Sequence, residues 1–339
     1  MDDALIFDWN RDAPVPRPSQ ILLLDETLRD GLQSPSVRAP TIDQKLRILH
    51  LLDRIGIDTA DIGLPGAGPH VARDVQRLAY EILECRLRVQ ANCAARTVLS
   101  DIQPIADIVQ KTGLPIECCC FIGSSPIRIY AEDWSVDYLQ RCTEEAISFG
   151  VRHGLKVMYV TEDTTRSDPE TLRRLFRTAI DSGASRLCIA DTVGHATPAG
   201  ARAVVGFVKR LVEASGADIG IDWHGHRDRD MGTINSLAAL EAGATRVHGT
   251  MLGIGERVGN TKGRQRRTEC TQHHARAHGT RRSHDDAADQ DIILLPHEPA
   301  RTDVPQPGIR ARVEVIHFHH SDAGPAVVAA QGKRVGARV

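Results

Sequence analysis

Ile21-Leu22-Leu23-Leu24-Asp25-Glu26-Thr27-Leu28-Arg29-Asp30-Gly31-Leu32-Gln33 is the stretch that decides the fold. A short apolar run, too brief for a helix and suited to a buried strand, stops abruptly in a dense polar segment. The same figure recurs along the chain. Strands are predicted at 21–25, 59–64, 88–94, 116–122, 156–161, 186–191, 218–224 and 246–251. Helical periodicity falls between them, at 43–55, 71–83, 136–152, 169–182, 198–214 and 233–242. Pro169 and Pro198 suit first helical turns behind Asp168 and Thr197 as caps. Gly56, Gly113, Gly183 and Gly243 each end a helical stretch before a strand.

Eight strands alternating with helices imply a parallel sheet with both faces covered. A doubly wound open sheet uses the same units, but the count of eight favours closure into a TIM (β/α)8 barrel. The polar residues sharpen that choice. Residues 25–33, Asn92, Ser124, Ser125, Glu162, Asp163, Asp191, Thr192, His224, His226 and Thr250 all stand at or just past predicted strand ends. A barrel gathers those ends on one rim, whereas an open sheet spreads them along a line. The expected catalytic domain is residues 21–261, preceded by an N-terminal extension, 1–20.

The chain has 339 residues, of which 41% are hydrophobic, enough for a large core. Aromatic residues are only 4% and the formal net charge is -2, so neither stacking nor electrostatics suggests a nucleic-acid or membrane partner. The acidic start, Met1-Asp2-Asp3, lacks the pattern of a secretory signal, which makes the cytoplasm the expected compartment. Eight cysteines in such a chain are expected to be reduced. Cys118-Cys119-Cys120 lies in a predicted strand, where neighbours point to opposite faces, so core packing is expected there rather than a metal site.

Beyond Thr261 the character changes. Eight of the 15 histidines fall in residues 262–339, with His273-His274, Arg281-Arg282 and His319-His320 in no clear period. Only 292–295 and 313–318 read as short strands, and no eighth barrel helix follows. The segment is expected to be a poorly ordered tail, or the product of a reading-frame shift.

The chemistry concentrates in a few short segments. His224 and His226, one residue apart at a strand end, project to the same side. With Asp30 from the first strand's exit they form an N/O set for a divalent ion with open positions. An isolated H-x-H is more often two histidines packed or solvated separately; the other motifs argue for the metal. Arg29 beside Asp30 can stabilise a carbonyl oxygen as it becomes an alkoxide. Glu162 and Asp163 leave the fifth strand together; one can serve in proton transfer or substrate orientation while the other ties down Arg166. Thr192 can donate to a substrate carboxylate. In Gly253-Ile254-Gly255-Glu256-Arg257-Val258-Gly259-Asn260 the glycines allow close backbone approach and a cradle for an anion. Asn260 there has an amide oxygen that can reach the metal or its water.

These segments, with Phe121-Ile122-Gly123-Ser124-Ser125-Pro126-Ile127 and His224-Gly225-His226-Arg227-Asp228, resemble the metal-dependent acyl-CoA Claisen-condensation enzymes of the 2-isopropylmalate and homocitrate synthase type, TIM barrels related to 3-hydroxy-3-methylglutaryl-CoA lyase. The resemblance spans roughly Leu22 to Thr261. It implies Asp30, His224 and His226 as ligands of a divalent ion (Mg²⁺, Mn²⁺ or Zn²⁺), with Asn260 close by. It implies Arg29 and Glu162 as catalytic, and Gln33, Thr192, Gly253, Gly255 and Glu256 as substrate contacts. The implied reaction condenses acetyl-CoA with a 2-oxoacid and hydrolyses the thioester; the implied assembly is a homodimer. Met158, Tyr159 and Val160 offer no cation for a second substrate carboxylate, which favours 2-oxoisovalerate, hence 2-isopropylmalate and leucine biosynthesis.

The chain departs from the pattern in places. Met251 stands where the lyases carry a cysteine, which favours a synthase. Gln44 replaces a usual lysine, with Lys45 next to it; Arg227 replaces Asn, Asp230 replaces Gly, and Cys119 holds a position often occupied by His. The later subdomains of the relatives are not recognisable after Thr261, leaving the proton-abstracting base unassigned. The alternatives are a homocitrate or citramalate synthase, a lyase of the same group, or an inactive metal-binding barrel.

Overall fold

The structure is a computed structural model, and it describes residues 20–263. The extension 1–19 and the tail from Arg264, with its two expected short strands, lie outside the described residues. Eight parallel strands form a closed barrel in chain order: β1 (Leu22–Asp25), β2 (Thr59–Asp61), β3 (Gln90–Arg96), β4 (Ile116–Gly123), β5 (Lys156–Glu162), β6 (Arg186–Asp191), β7 (Gly220–Gly225) and β8 (Arg246–Gly249). β8 pairs back onto β1, Leu22 opposite Arg246 through Asp25 opposite Gly249. The helices are α1 (Ile42–Arg54), α2 (Pro69–Glu84), α3 (Leu99–Thr112), α4 (Pro126–Ala131), α5 (Val136–Arg152), α6 (Pro169–Asp181), α7 (Pro198–Ser215) and α8 (Gly232–Ala242). Among the described residues no helix is long and apolar enough to cross a membrane.

The local signals act as their chemistry dictates. Asp168 accepts from the Glu170 and Thr171 amides at 3.0 Å, and Thr197 accepts from the Gly200 amide at 3.2 Å. Gly113 and Gly243 end α3 and α8 in the left-handed region. The unusual Gln44 is half of a capping box with Thr41, while Lys45 reaches Asp74 on α2 at 2.8 Å.

Three of the strand limits that differ from expectation have a visible cause. β2 stops at Asp61, short of 64, because Asp61 Oδ1 accepts the Gly63 N–H and Gly63 turns to φ 144. β3 begins at Gln90, not 88, because the Arg88 and Val89 amides donate to Asp53 Oδ1 at the end of α1. β8 stops at Gly249 because Thr250 pairs with the returning segment at Thr261 and Gly263. Helix α3 ends at Gly113 as expected, although Pro104 inside it removes an N–H and blurs the period along the rest of the helix.

The barrel interior is layered. Outward-facing side chains such as Cys118, Cys120, Tyr159 and Trp223 join the main core under the helices. Leu24, Cys119, Met158, Val160, Cys188 and Ala190 form a separate inner apolar layer. Strand alternation thus splits the three cysteines as expected, and the seven cysteines among the described residues are free thiols. Nearer the N-terminal strand ends lies an ionic layer. Asp222 accepts from Arg186 Nε at 2.5 Å and Arg246 Nε at 2.6 Å, and Arg246 Nη2 reaches Glu117 at 2.7 Å. Asn92, expected on the rim, belongs here instead: it is the third residue of β3 and donates to Glu117 at 2.7 Å.

Burial alone would raise the Asp222 pKa, but Arg246 and Arg186 outweigh it and hold the carboxyl well below its usual value. Its contribution to stability is therefore present above the unfolded carboxyl pKa of about 4 and is lost as pH falls below that. Asp222→Asn is expected to lower stability by about 3 kcal/mol at pH 7 by leaving the buried Arg246 and the half-buried Arg186 undercompensated. Urea denaturation of both proteins across pH checks it; the gap should narrow on acidification below about pH 4.

Candidate metal centre

The polar segment that follows β1 folds as a 3-10 turn, Asp30–Gln33, and places Asp30 over the barrel mouth. β7 delivers His224 and His226 with their rings on the inner side. The two Nε2 atoms stand 3.0 Å apart. Asp30 Oδ2 lies 3.8 Å from His224 Nε2 and 3.9 Å from His226 Nε2. The three residues expected to converge do converge, and Asp30 and His226 are buried.

Asn260 arrives by a different route. The chain after β8 turns back over the rim, so that His226 and Asn260 form an antiparallel bridge and Thr250 pairs with Lys262. Asn260 Nδ2 then donates to Asp30 Oδ2 at 2.5 Å. The glycines serve this insertion more than an anion cradle. A Cβ on Gly255 would overlap Asn260 Oδ1, and one on Gly259 would overlap the Gly253 carbonyl. The Gly253 N–H, expected to face a ligand, is spent on the Thr250 carbonyl at 3.2 Å. Arg257 clips the turn to Asp228 at 2.7 Å and to the Thr192 carbonyl at 2.5 Å, with Glu256 beside it and partly exposed. Asp230 sits at φ 55, which accounts for glycine being usual at that place.

A carboxylate network surrounds this group. Arg29 Nε donates to Asp61 at 2.9 Å and Nη1 to Asp30 at 3.3 Å, and Nη2 lies 3.9 Å from Glu26. Glu26 faces His224 Nδ1 at 2.9 Å and His248 Nδ1 at 3.0 Å. His248 Nε2 in turn faces Asp222 at 2.8 Å, linking the mouth to the ionic layer. Sequence reasoning missed Glu26, Asp61 and His248. The parity signal was present for two of them, since Glu26 follows inward Leu24 by two and His248 follows inward Arg246 by two.

These contacts set the charges. Burial alone would raise Glu26, but the His224 and His248 imidazoles hold it well below the usual carboxylate range. Burial alone would lower His224; Glu26 outweighs it and raises the imidazole. Burial and then the adjacent His224 push His226 down to about 4. Burial also lifts Asp61 to about 6 against the pull of Arg29.

The donor set suits a divalent ion. Two nitrogens bound at about 2.1 Å and at right angles lie about 3.0 Å apart. Asn260 turns its Nδ2 to Asp30, and its Oδ1, packed against Gly255, is buried without a hydrogen-bond partner. His226 brings a largely unprotonated ring, as a ligand must.

The remaining expected residues ring the same opening at greater remove. Burial raises Glu162, opposed by Arg128 and by Arg29 and reinforced by Glu256, so these charges share one space. Thr192 Oγ1 accepts the Asp163 amide at 2.7 Å, and Asp163 holds Arg166 through both carboxylate oxygens, the tie expected of it. Gln33 is exposed at the end of its turn and is not drawn into the cluster.

The HMGL-like family model matches residues 20–265. The chain is 36% identical over 244 residues to homocitrate synthase AksA of Methanopyrus kandleri, covering 72% of this chain and 58% of that protein. It is 35% identical over 242 residues to a 2-isopropylmalate synthase of Sulfolobus acidocaldarius, covering 71% and 59%. A putative (R)-citramalate synthase, CimA, of Methanopyrus kandleri is 35% identical over 249 residues, with 74% and 47% covered. The chain thus spans about half the length of the curated relatives it matches. The Bacillus subtilis HMG-CoA lyase structure shares the fold, with TM-score 0.61, 21% identity, and 76% and 87% of the two chains covered. A matching family model over most of the chain, the closed barrel and these relatives together show that the chain belongs to the HMGL-like family.

Proposed function

We propose that this barrel binds a divalent ion through Asp30, His224 and His226, with Asn260 adjoining, and condenses acetyl-CoA with a 2-oxoacid. The observation that carries the reading is the convergence of one carboxylate and two imidazole nitrogens, within 4.8 Å of one another, on the rim of a closed barrel. Relatives named as homocitrate, citramalate and 2-isopropylmalate synthases support the class of reaction. An ion bound there would act as Lewis acid and template for the oxoacid.

The chain's own groups supply the rest. Arg29, fixed by Asp61 and Asp30, aims a permanent positive charge where a carbonyl oxygen gains charge. Glu162, its pKa raised by burial, is suited to hold or pass a proton. Thr192 accepts from the Asp163 amide and keeps its hydroxyl hydrogen to donate to the substrate carboxylate. Hydrolysis of the acyl thioester then releases CoA thiol and makes the condensation irreversible.

The inner apolar layer of Leu24, Met158, Val160 and Ala190 beneath these groups favours a branched aliphatic oxoacid, 2-oxoisovalerate, giving 2-isopropylmalate. Arg246, which touches Met158 Sδ at 3.1 Å, is already neutralised by Asp222 and Glu117 and leaves no charge for a second carboxylate. Arg128, which shares its space with Glu162, favours the second reading, a dicarboxylic oxoacid as in homocitrate synthesis.

CoA-thiol release with acetyl-CoA and a panel of 2-oxoacids, with and without Mg²⁺ or Mn²⁺, tests the proposal. Turnover is expected with 2-oxoisovalerate and metal, and His224→Ala should lower it by more than about 100-fold. Undiminished release in that variant would sink the metal assignment; metal binding without thiol release would point to an inactive barrel.

Metal affinity should also depend on pH in a defined direction. Because His224 is raised above the ordinary imidazole value by Glu26, protons compete for it increasingly as pH falls, and metal binding should release protons. Calorimetric titration with Mn²⁺ in buffers of different ionisation enthalpy reads the proton count. Affinity that is flat from pH 8 to pH 6 would contradict the expectation.

A further inference from the structure

Glu26 occupies a position that neither the metal reading nor the substrate reading uses. It is 4% exposed, and its carboxylate faces the Nδ1 atoms of two histidines. Oε1 lies 3.1 Å from His224 Nδ1 and 3.0 Å from His248 Nδ1, while Oε2 lies 2.9 Å from His224 Nδ1 and 3.4 Å from Asn260 Nδ2. An ionised carboxylate only accepts, so the nitrogen of His224 that faces it carries the hydrogen. That leaves Nε2, the atom 3.0 Å from His226 Nε2, with its lone pair.

We propose that Glu26 is the positioning residue of the centre: it fixes the tautomer and ring plane of His224, and His248, braced on Asp222, holds Glu26 in place. The inference rests on the metal reading above. Its logic is that a ligating imidazole is oriented by what its other nitrogen bonds, and here that partner is a carboxylate from the opposite end of the chain, 198 residues away. The brace is as well defined as the contact. His248 Nε2 stands 2.8 Å from Asp222 Oδ2, and Asp222 is itself clamped by Arg186 and Arg246. A continuous chain of bonded groups therefore runs from the ionic layer through Asp222, His248 and Glu26 to His224, and it fixes both ends of the Glu26 side chain's freedom. The other approach to His224, on the Nε2 side, is left to Asp30 and His226.

Glutamine in place of Glu26 keeps the shape and removes what matters. Its amide has one acceptor oxygen for two imidazole N–H groups, and its NH₂ presented to His224 Nδ1 would favour the tautomer with hydrogen on Nε2, the wrong one for a ligand.

The test uses the full chain. In metal-free protein, long-range ¹H–¹⁵N spectra of the histidine rings read the His224 tautomer; Mn²⁺ titration calorimetry reads affinity, with His224→Ala as the reference for binding elsewhere on the chain. Wild type should show hydrogen on Nδ1. Glu26→Gln should lose that preference and bind Mn²⁺ about 10–100-fold more weakly. His248→Gln, which leaves Glu26 itself intact, should weaken binding by a smaller factor and serves if Glu26→Gln folds poorly. A Glu26→Gln protein with the wild-type tautomer and Mn²⁺ affinity within about twofold would overturn the proposal. Loss of binding in His224→Ala alongside that result would leave the metal reading standing, whereas wild-type binding by His224→Ala would remove the metal reading and this inference with it.

Discussion

The pairing of β8 back onto β1 is the constraint on which the site depends. Four residues of β1 match four of β8, Leu22 through Asp25 against Arg246 through Gly249. Without that closure, Asp30 would hang from one edge of a sheet and His224 would lie near the other. With it, a single strand separates them, and the carboxylate and imidazoles come within 3.8–3.9 Å. The alternation of a parallel strand does the rest, sending every second side chain inward along all eight strands.

Closure also forces a stack of chemically different layers, and their order matters. The lowest layer is ionic, with Asp222, Arg186, Arg246 and Glu117 satisfying one another away from water. The middle layer is apolar, and the top layer is polar again. Buried charge of this kind is costly unless paired, so each charge at the top is matched as well: Arg29 against Asp61, Asp30 and Glu26, and Glu26 against His224 and His248. His248 is the group that crosses between layers. It bonds upward to Glu26 and downward to Asp222, so the orientation of the rim histidine is tied to the rigid floor of the barrel.

Much of this was legible in the order of residues. The strand count, the capping by Asp168 and Thr197, the opposed faces of Cys118 and Cys119, and the same-side projection of His224 and His226 all follow from local periodicity. Local signals failed where a distant partner decides the outcome. Asn92 reads as a rim residue until β3 is seen to start two residues later, because Asp53 captures the Arg88 and Val89 amides. Glu26 and Asp61 read as generic acidic residues, since their meaning lies in His224 and Arg29, neither a neighbour in sequence. The glycine-rich turn reads as an anion cradle because three glycines in eight residues usually free the backbone. The fold uses them to let a side chain in.

That use of the glycines bears on what the segment after β8 contributes. Thr250 and Thr261 bond across the turn, Thr261 reaches the Gly225 carbonyl through both its amide and its hydroxyl, and Arg227 takes the Gly259 carbonyl. The returning chain is thus stitched to β7 at Gly225, between the two histidines in sequence. Asn260 cannot be moved without moving that stitch, and the stitch cannot form if Gly255 or Gly259 gains a side chain. The Asp30 carboxylate is consequently set from two directions, by Arg29 from its own turn and by Asn260 from the returning one. A carboxylate held on both sides loses little further freedom when it acquires a cation, which is the condition for a preorganised centre.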